Sequence, residues 1–190
     1  NQRIIVKFSR CRLIRCITTL HGTDITVVGA HPTMKNITRF AIEHSDAVTA
    51  VSNSLKQQTA DTFDIDAGRI HTIYNFINPR FFNPELKRTV MSNMNPEGKF
   101  IVLHMSNLRS VKSPLNVVRI FHGLTTRSDT PMELWVVGEG PLRSEMARLA
   151  EELGVDRQVR FLGVRNIVGP IVANADLFLM PSTEESFGLS

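Results

Sequence analysis

Residues 104–114 read HMSNLRSVKSP and place two cations, Arg109 and Lys112, three residues apart. An apolar run ends near Met105, and Pro114 sits where the first turn of a helix would begin. Open α/β sheets bind ligands at the carboxyl ends of their strands, beside helix N-termini that favour anions. Two cations there could neutralise a diphosphate without a metal ion, although two solvated loop cations would look the same in sequence. A second stretch, VVGEGP at 136–141, runs a buried strand into Gly138 and Gly140 and then into Pro141. Its glycines permit a tight turn and close approach by a ligand, or simply a strand-to-helix turn. A third, MPSTEESFGLS at 180–190, sets Glu184 and Glu185 before a small-aromatic-Gly-Leu turn. These carboxylates could accept hydrogen bonds from sugar hydroxyls while the amides near Phe187 and Gly188 face an anion. In isolation, such acids are more often surface or helix-capping residues.

The fourth stretch is TTLHGTD at 18–24. A hydrolytic triad needs a nucleophile, and no G-x-S-x-G elbow occurs in the chain. A metal site needs more ligands at suitable spacing than HGTD offers. What remains is a sugar-gripping loop, a turn with Asp24 as a cap, or a partly buried structural His21.

The elements that must carry these loops are legible as short apolar runs alternating with helical patterns. Expected strands are Ile17–Leu20, Ala47–Val51, Ile70–Ile73, Phe100–His104, Leu134–Val137, Val159–Leu162 and Leu177–Met180. Consecutive apolar positions imply cover on both faces of a sheet. Leu142, Met146, Leu149, Ala150 and Leu153 form a helical stripe that stops at Gly154. Val117, Val118, Phe121 and Leu124 form another, after Pro114. The alternation predicts an α/β fold with parallel sheets. Residues 78–98 interrupt it with three prolines, four asparagines and no period. Two units are therefore expected, residues 1–83 and 99–190, joined by a linker over 84–98.

Bulk properties narrow the class. With 190 residues, 42% of them hydrophobic, the chain can bury a sizeable core. No apolar run approaches the ~20 residues that cross a bilayer, and the N-terminus lacks the apolar core and cleavage site of a secretion signal. Cys11 and Cys16 have no second pair, which excludes a zinc or disulfide framework and points to a reducing, cytoplasmic setting. The net charge of +4 is spread along the chain apart from a concentration at residues 3–15, so no nucleic acid is expected as a partner. It suits a substrate bearing phosphates or carboxylates.

Taken in order, HGTD, SDAVTAVSNSLK, IYNFIN, SNLRSVK, VVGEGP, RFLG and PSTEESFGL resemble the retaining GT-B glycosyltransferases of the glycogen-synthase-like family. Within it, TTLHGTDIT, TRFAIEHSDAVTAVSNSLK and SNLRSVK are similar to the branch that transfers N-acetylglucosamine to L-malate in the first step of bacillithiol synthesis. The resemblance covers residues 17–190 and implies a GT-B fold of two Rossmann-like parallel-sheet units. It implies that His21 holds a hydroxyl of the donor sugar, and that Arg109 and Lys112 grip the diphosphate and stabilise it as it leaves. Glu185 matches the first acid of an E-x7-E motif that binds hydroxyls of the transferred sugar. Gly163 and Val164 match the segment near the uracil, with Gly138, Ser186, Phe187, Gly188 and Leu189 also at the donor. Arg39 is a candidate for a malate carboxylate, since its fork binds carboxylates bidentately, and equally a helix-surface arginine. The implied substrates are UDP-GlcNAc and L-malate, with no resident cofactor and no metal; a homo-oligomer is left open.

The sequence departs from that family before residue 17, and it lacks the glycine-rich first turn and the second glutamate of E-x7-E. Both units are thus expected to be incomplete, and the 190-residue chain alone inactive even where its parent is an enzyme. The alternatives are a related GT-B transferase acting on a lipid or glycan, or a non-catalytic nucleotide- or anion-binding module.

Overall fold

A computed structural model describes residues 15–22, 25, 31–83 and 94–183. The chain divides into two compact units, the first running to Phe76 and the second beginning at Ile77.

In the first unit three strands, β1 (Ile17–Leu20), β2 (Ala47–Ala50) and β3 (Ile70–Thr72), form a parallel sheet in the order β1-β2-β3. Two helices make the crossovers. Helix α1 (Pro32–Glu43) starts at a proline, whose missing N–H costs nothing in a first turn. Helix α2 (Asn53–Phe63) is capped by Ser52, whose Oγ accepts from the Leu55 N–H at 3.1 Å. Leu20, Ile42, Val48, Leu55, Phe63 and Ile70 close a single core between the helices and the sheet.

The second unit holds four parallel strands in the order β6-β5-β4-β7: β4 (Phe100–Met105), β5 (Met132–Val137), β6 (Val159–Gly163) and β7 (Leu177–Phe178). Helices α3 (Pro114–Thr125) and α4 (Arg143–Glu152) bury the two stripes legible in sequence: Val117, Val118 and Phe121 from one, Met146 and Ala150 from the other. They pack with Val102, Leu134 and Val136 on one face of the sheet. The alternate residues Ile101, Leu103, Trp135 and Val137 turn to the opposite face, where Ile171 of α5 (Gly169–Asn174) covers them. Consecutive apolar residues in β4 and β5 are thus explained by two covered faces, as the side-chain period of two requires.

All seven expected strands exist, β1 with its expected bounds and the others with shifted ends. Val51, Ile73, Leu179 and Met180 fall outside their strands, while β4 gains Met105, β6 gains Gly163 and β5 begins at Met132. The expectation of full burial fails at β1, where Ile17 is 66% exposed, and at β7, where Leu177 and Phe178 are each 39% exposed. Among the described residues β7 stands at the edge of the sheet, pairing with Val102 and Leu103, and its apolar residues are not enclosed. Of the stretch read as a linker, residues 84–93 lie outside the described residues. Asn95 is buried and bonds Lys99 twice, its Nδ2 donating to the Lys99 carbonyl (2.7 Å) and its Oδ1 accepting from the Lys99 N–H (3.0 Å). Met94 packs on the core around Trp135, and its carbonyl accepts from Arg160 at 3.0 Å. Among the described residues no helix is long and apolar enough to cross a membrane.

Candidate functional site

The loops that leave the carboxyl ends of β4, β5, β6 and β7 are tied into one assembly. The Ser106 N–H donates to the Val137 carbonyl (3.1 Å), and the Gly138 N–H donates to the Gly163 carbonyl (2.9 Å). The Leu108 N–H donates to the Glu139 carbonyl (3.1 Å), and the Leu108 carbonyl accepts from the Leu142 N–H (3.1 Å). The Thr183 N–H donates to the Val111 carbonyl (3.0 Å), which joins the segment after β7 to the same array. Buried Leu108 anchors the β4 loop from below.

This lacing decides what the glycines do. Gly138 has φ +114°, and a Cβ built on it would lie 2.0 Å from the Ser106 carbonyl oxygen. A Cβ on Gly140 would lie 2.7 Å from both the nitrogen and the oxygen of Leu108. The close approach that VVGEGP permits is therefore made by the protein's own β4 loop, and the glycines serve to seat that loop. Gly163 also has a positive φ, +68°, and Val164 beyond it is 69% exposed.

Arg109 and Lys112 ride on the seated loop. Arg109 caps the 3-10 turn Ser110–Lys112, and the Lys112 N–H donates to the Arg109 carbonyl at 2.9 Å. Three residues per 3-10 turn bring residue i+3 back above residue i, so the spacing seen in sequence sets both cations on one turn. Arg109 is exposed and Lys112 half-buried. Ser113, left-handed at φ 49°, ends the turn, and Pro114 starts α3 at once. Two positive charges thus stand at the carboxyl edge of a parallel sheet, beside a helix N-terminus, where an anionic ligand is best stabilised.

One residue of this assembly was not singled out from sequence. His104, inside the apolar run of β4, is buried, and both of its ring nitrogens have partners. Nδ1 lies 2.9 Å from the Leu179 carbonyl oxygen, and Nε2 lies 2.8 Å from Ser106 Oγ. Burial, then the charge of Lys112, holds its pKa below the ordinary histidine value, against the opposing hydrogen bond to Leu179. A histidine interrupting an otherwise apolar strand was the available signal.

In the first unit, His21 follows β1 directly and is exposed, which removes the partly buried structural histidine. Gly22 next to it takes φ 131° and its carbonyl accepts from the Ile25 N–H at 2.8 Å, so the chain does turn here. Asp24, the candidate cap, lies outside the described residues. Arg39 lies on α1, where its Nε donates to Glu43 Oε1 at 2.8 Å, the i,i+4 pairing of a helix surface. Asp64 stands 4.0 Å from its Nη1. Glu184, Glu185, Ser186, Phe187, Gly188 and Leu189 lie outside the described residues. Among the described residues no group of three or more His, Cys, Asp or Glu side chains is placed to hold a metal ion.

Residues 88–190 match the family described as glycosyl transferases group 1, and residues 6–81 match glycosyltransferase family 4. The chain belongs to the group 1 glycosyl transferases. Among its relatives is N-acetyl-alpha-D-glucosaminyl L-malate synthase of Bacillus anthracis, 40% identical over 177 residues, a match that covers 93% of this chain and 46% of the relative. Solved structures with the same fold include Anabaena Alr3699/HepE in complex with UDP and glucose, with TM-score 0.72 at 20% identity over 90% of this chain and 47% of that one. Another is WaaG, a glycosyltransferase involved in lipopolysaccharide biosynthesis, with TM-score 0.68 at 20% identity over 83% of this chain and 45% of that one. These likenesses show the GT-B fold. The chain spans about half the length of the curated relatives it matches.

Proposed function

We propose that this chain contributes the donor-diphosphate site of a retaining glycosyltransferase that moves N-acetylglucosamine from UDP-GlcNAc to the hydroxyl of L-malate. The observation that carries the reading is the pair Arg109 and Lys112 on one braced turn at the carboxyl edge of the second sheet. The choice of substrates is supported by the similarity to N-acetyl-alpha-D-glucosaminyl L-malate synthase. Arg109 and Lys112 hold the diphosphate and stabilise the charge that develops on it as the sugar bond breaks, an electrostatic contribution of the preorganised kind. The departing phosphate takes the proton of the acceptor hydroxyl on the face it leaves, which retains the anomeric configuration. The protein's remaining task is to hold the reactants in register. His21 hydrogen-bonds a hydroxyl of the donor sugar, Glu185 binds the transferred sugar, and Gly163 with Val164 lies near the uracil. Gly138 keeps the β4 loop seated, and Ser186, Phe187, Gly188 and Leu189 complete the donor contacts. Arg39, already paired with Glu43, offers its remaining guanidinium N–H groups to a malate carboxylate. The reaction uses no resident metal or cofactor and takes place in the cytoplasm.

Two measurements test this. Calorimetry with UDP should show binding that Arg109→Ala and Lys112→Ala each weaken by about 1.5–3 kcal/mol, the range for hydrogen bonds to charged groups. Binding unchanged in both variants would remove the diphosphate role. A protein of the relatives' full length that contains this sequence should then consume UDP-GlcNAc when L-malate is supplied. Turnover only with a lipid or glycan acceptor would keep the donor site and replace the acceptor.

A further inference from the structure

His104 holds the start of the loop that carries both cations, through its contact with Ser106. A carbonyl oxygen can only accept, so Nδ1 must carry the ring proton and donate it to Leu179 at 2.9 Å. That leaves Nε2 of the neutral ring as the acceptor for the Ser106 hydroxyl at 2.8 Å. The imidazole therefore bridges two segments, the residue that follows β7 and the first residue of the β4 loop. The far end of the same loop is tied to the same stretch of chain, because the Val111 carbonyl accepts from both the N–H (3.0 Å) and the Oγ1 (3.3 Å) of Thr183. Residues 106–111 are thus strapped at both ends to residues 179–183, with Arg109 inside the strap and Lys112 next to it. The other ties of this loop, such as Ser106 to Val137 and Leu108 to Glu139, begin and end on main-chain atoms. The His104–Ser106 link is made by two side chains and can be removed by substitution.

We propose that His104 is a positioning residue for the Arg109–Lys112 turn, acting through its bridge from the Leu179 carbonyl to the Ser106 hydroxyl. The proposal rests on the reading of that turn as a diphosphate site. Placement of the cations to within a fraction of an ångström matters there, and a turn near a strand end holds it only if its supports are rigid. The residue that anchors the ring is itself held to β4: β7 pairs with Val102 and Leu103, and the Leu179 N–H donates to the Leu103 carbonyl at 2.8 Å.

The test measures UDP affinity by calorimetry in the wild type, Ser106→Ala, His104→Asn and the double variant. Ser106→Ala leaves the ring and the Leu179 bond in place, so it does not depend on tolerance of a new residue in the core. His104→Asn can keep a donor near the Nδ1 position while losing Ser106. Each single change should weaken UDP binding about tenfold, and the double variant no more than either, as expected when two residues form one link. The effect of Ser106→Ala should shrink in a Lys112→Ala background. Nitrogen NMR of the His104 ring should show the proton on Nδ1. Full affinity in folded Ser106→Ala, losses that add in the double variant, or a proton on Nε2 would each overturn the bridge. If UDP binding needs Arg109 and Lys112 but ignores Ser106, the bridge falls and the diphosphate site stands. If the wild type binds no UDP, both fall.

Discussion

The two sheets follow one plan and differ in how they hold their strand ends. In the second unit β4 and β5 pair over six residues, and their alternate side chains enter two cores on opposite faces. In the first unit the strands pair over three or four residues, and the described buried residues form one core. There the sheet is stitched partly by hydroxyls: Thr49 Oγ1 donates to Thr19 Oγ1 at 2.9 Å, and Thr18 Oγ1 lies 2.7 Å from Ser45 Oγ. The second sheet thus offers a rigid platform whose outgoing loops are laced together, and its cation pair sits on that lacing. In the first, His21 leaves a short strand and is exposed.

The contrast can be broken most severely at the core that α3 and α4 cover. Phe121→Ala empties a fully buried site between α3 and the sheet and should cost about 3–5 kcal/mol in chemical denaturation. A loss below about 1 kcal/mol would mean that this core is loosely packed. Gly138→Ala comes next, at about 3 kcal/mol, because both the positive φ and the collision with the Ser106 carbonyl must be relieved by moving backbone. Gly154→Ala is its control. Gly154 shares a positive φ, +69°, but has nothing within 4 Å of the added carbon. It should cost about 1 kcal/mol and leave UDP affinity unchanged. On the first sheet, Thr49→Val removes one hydroxyl stitch and should cost about 1 kcal/mol, measurable only by the unfolding of that unit.

The mildest perturbation is pH. His104 has a folded pKa below the ordinary value of 6.5, so the unfolded chain binds its proton first as pH falls. Its contribution to stability is complete above about pH 6.5 and declines as pH drops through the lowered folded value. Stability of the second unit should therefore fall on that side, and His104→Asn should flatten the slope. An unchanged slope in the variant would assign the pH dependence elsewhere.

Much of this was readable in the residues because periodicity reports burial. The seven strands and the stripes of α3 and α4 are apolar patterns, and apolar patterns survive translation into structure. The ends of strands were less legible, since Val51, Ile73 and Met180 are as apolar as their neighbours and only the partner strand decides where pairing stops. Burial at β7 was misjudged for the same reason, as edge position is a property of the whole sheet. At the site, the spacing of Arg109 and Lys112 was visible, but the role of Gly138 and Gly140 was not. Sequence shows that a glycine allows close approach, and only the fold shows that Ser106 and Leu108 are what approach. Arg39 and Glu43 stand at helical i,i+4 spacing, so the ion pair that engages Arg39 was readable, whereas the contact with Asp64 needed the fold. His104 escaped because one polar residue in an apolar strand does not declare its partners, and both of them come from outside the strand.

The most direct measurement is calorimetric titration of the 190-residue chain with UDP, in the wild type and in Arg109→Ala and Lys112→Ala. A diphosphate site on the braced turn predicts measurable binding that each substitution weakens by at least about tenfold, with the unfolding transition of both variants unchanged. UDP binding of equal strength in all three proteins, or none in the folded wild type, would contradict it.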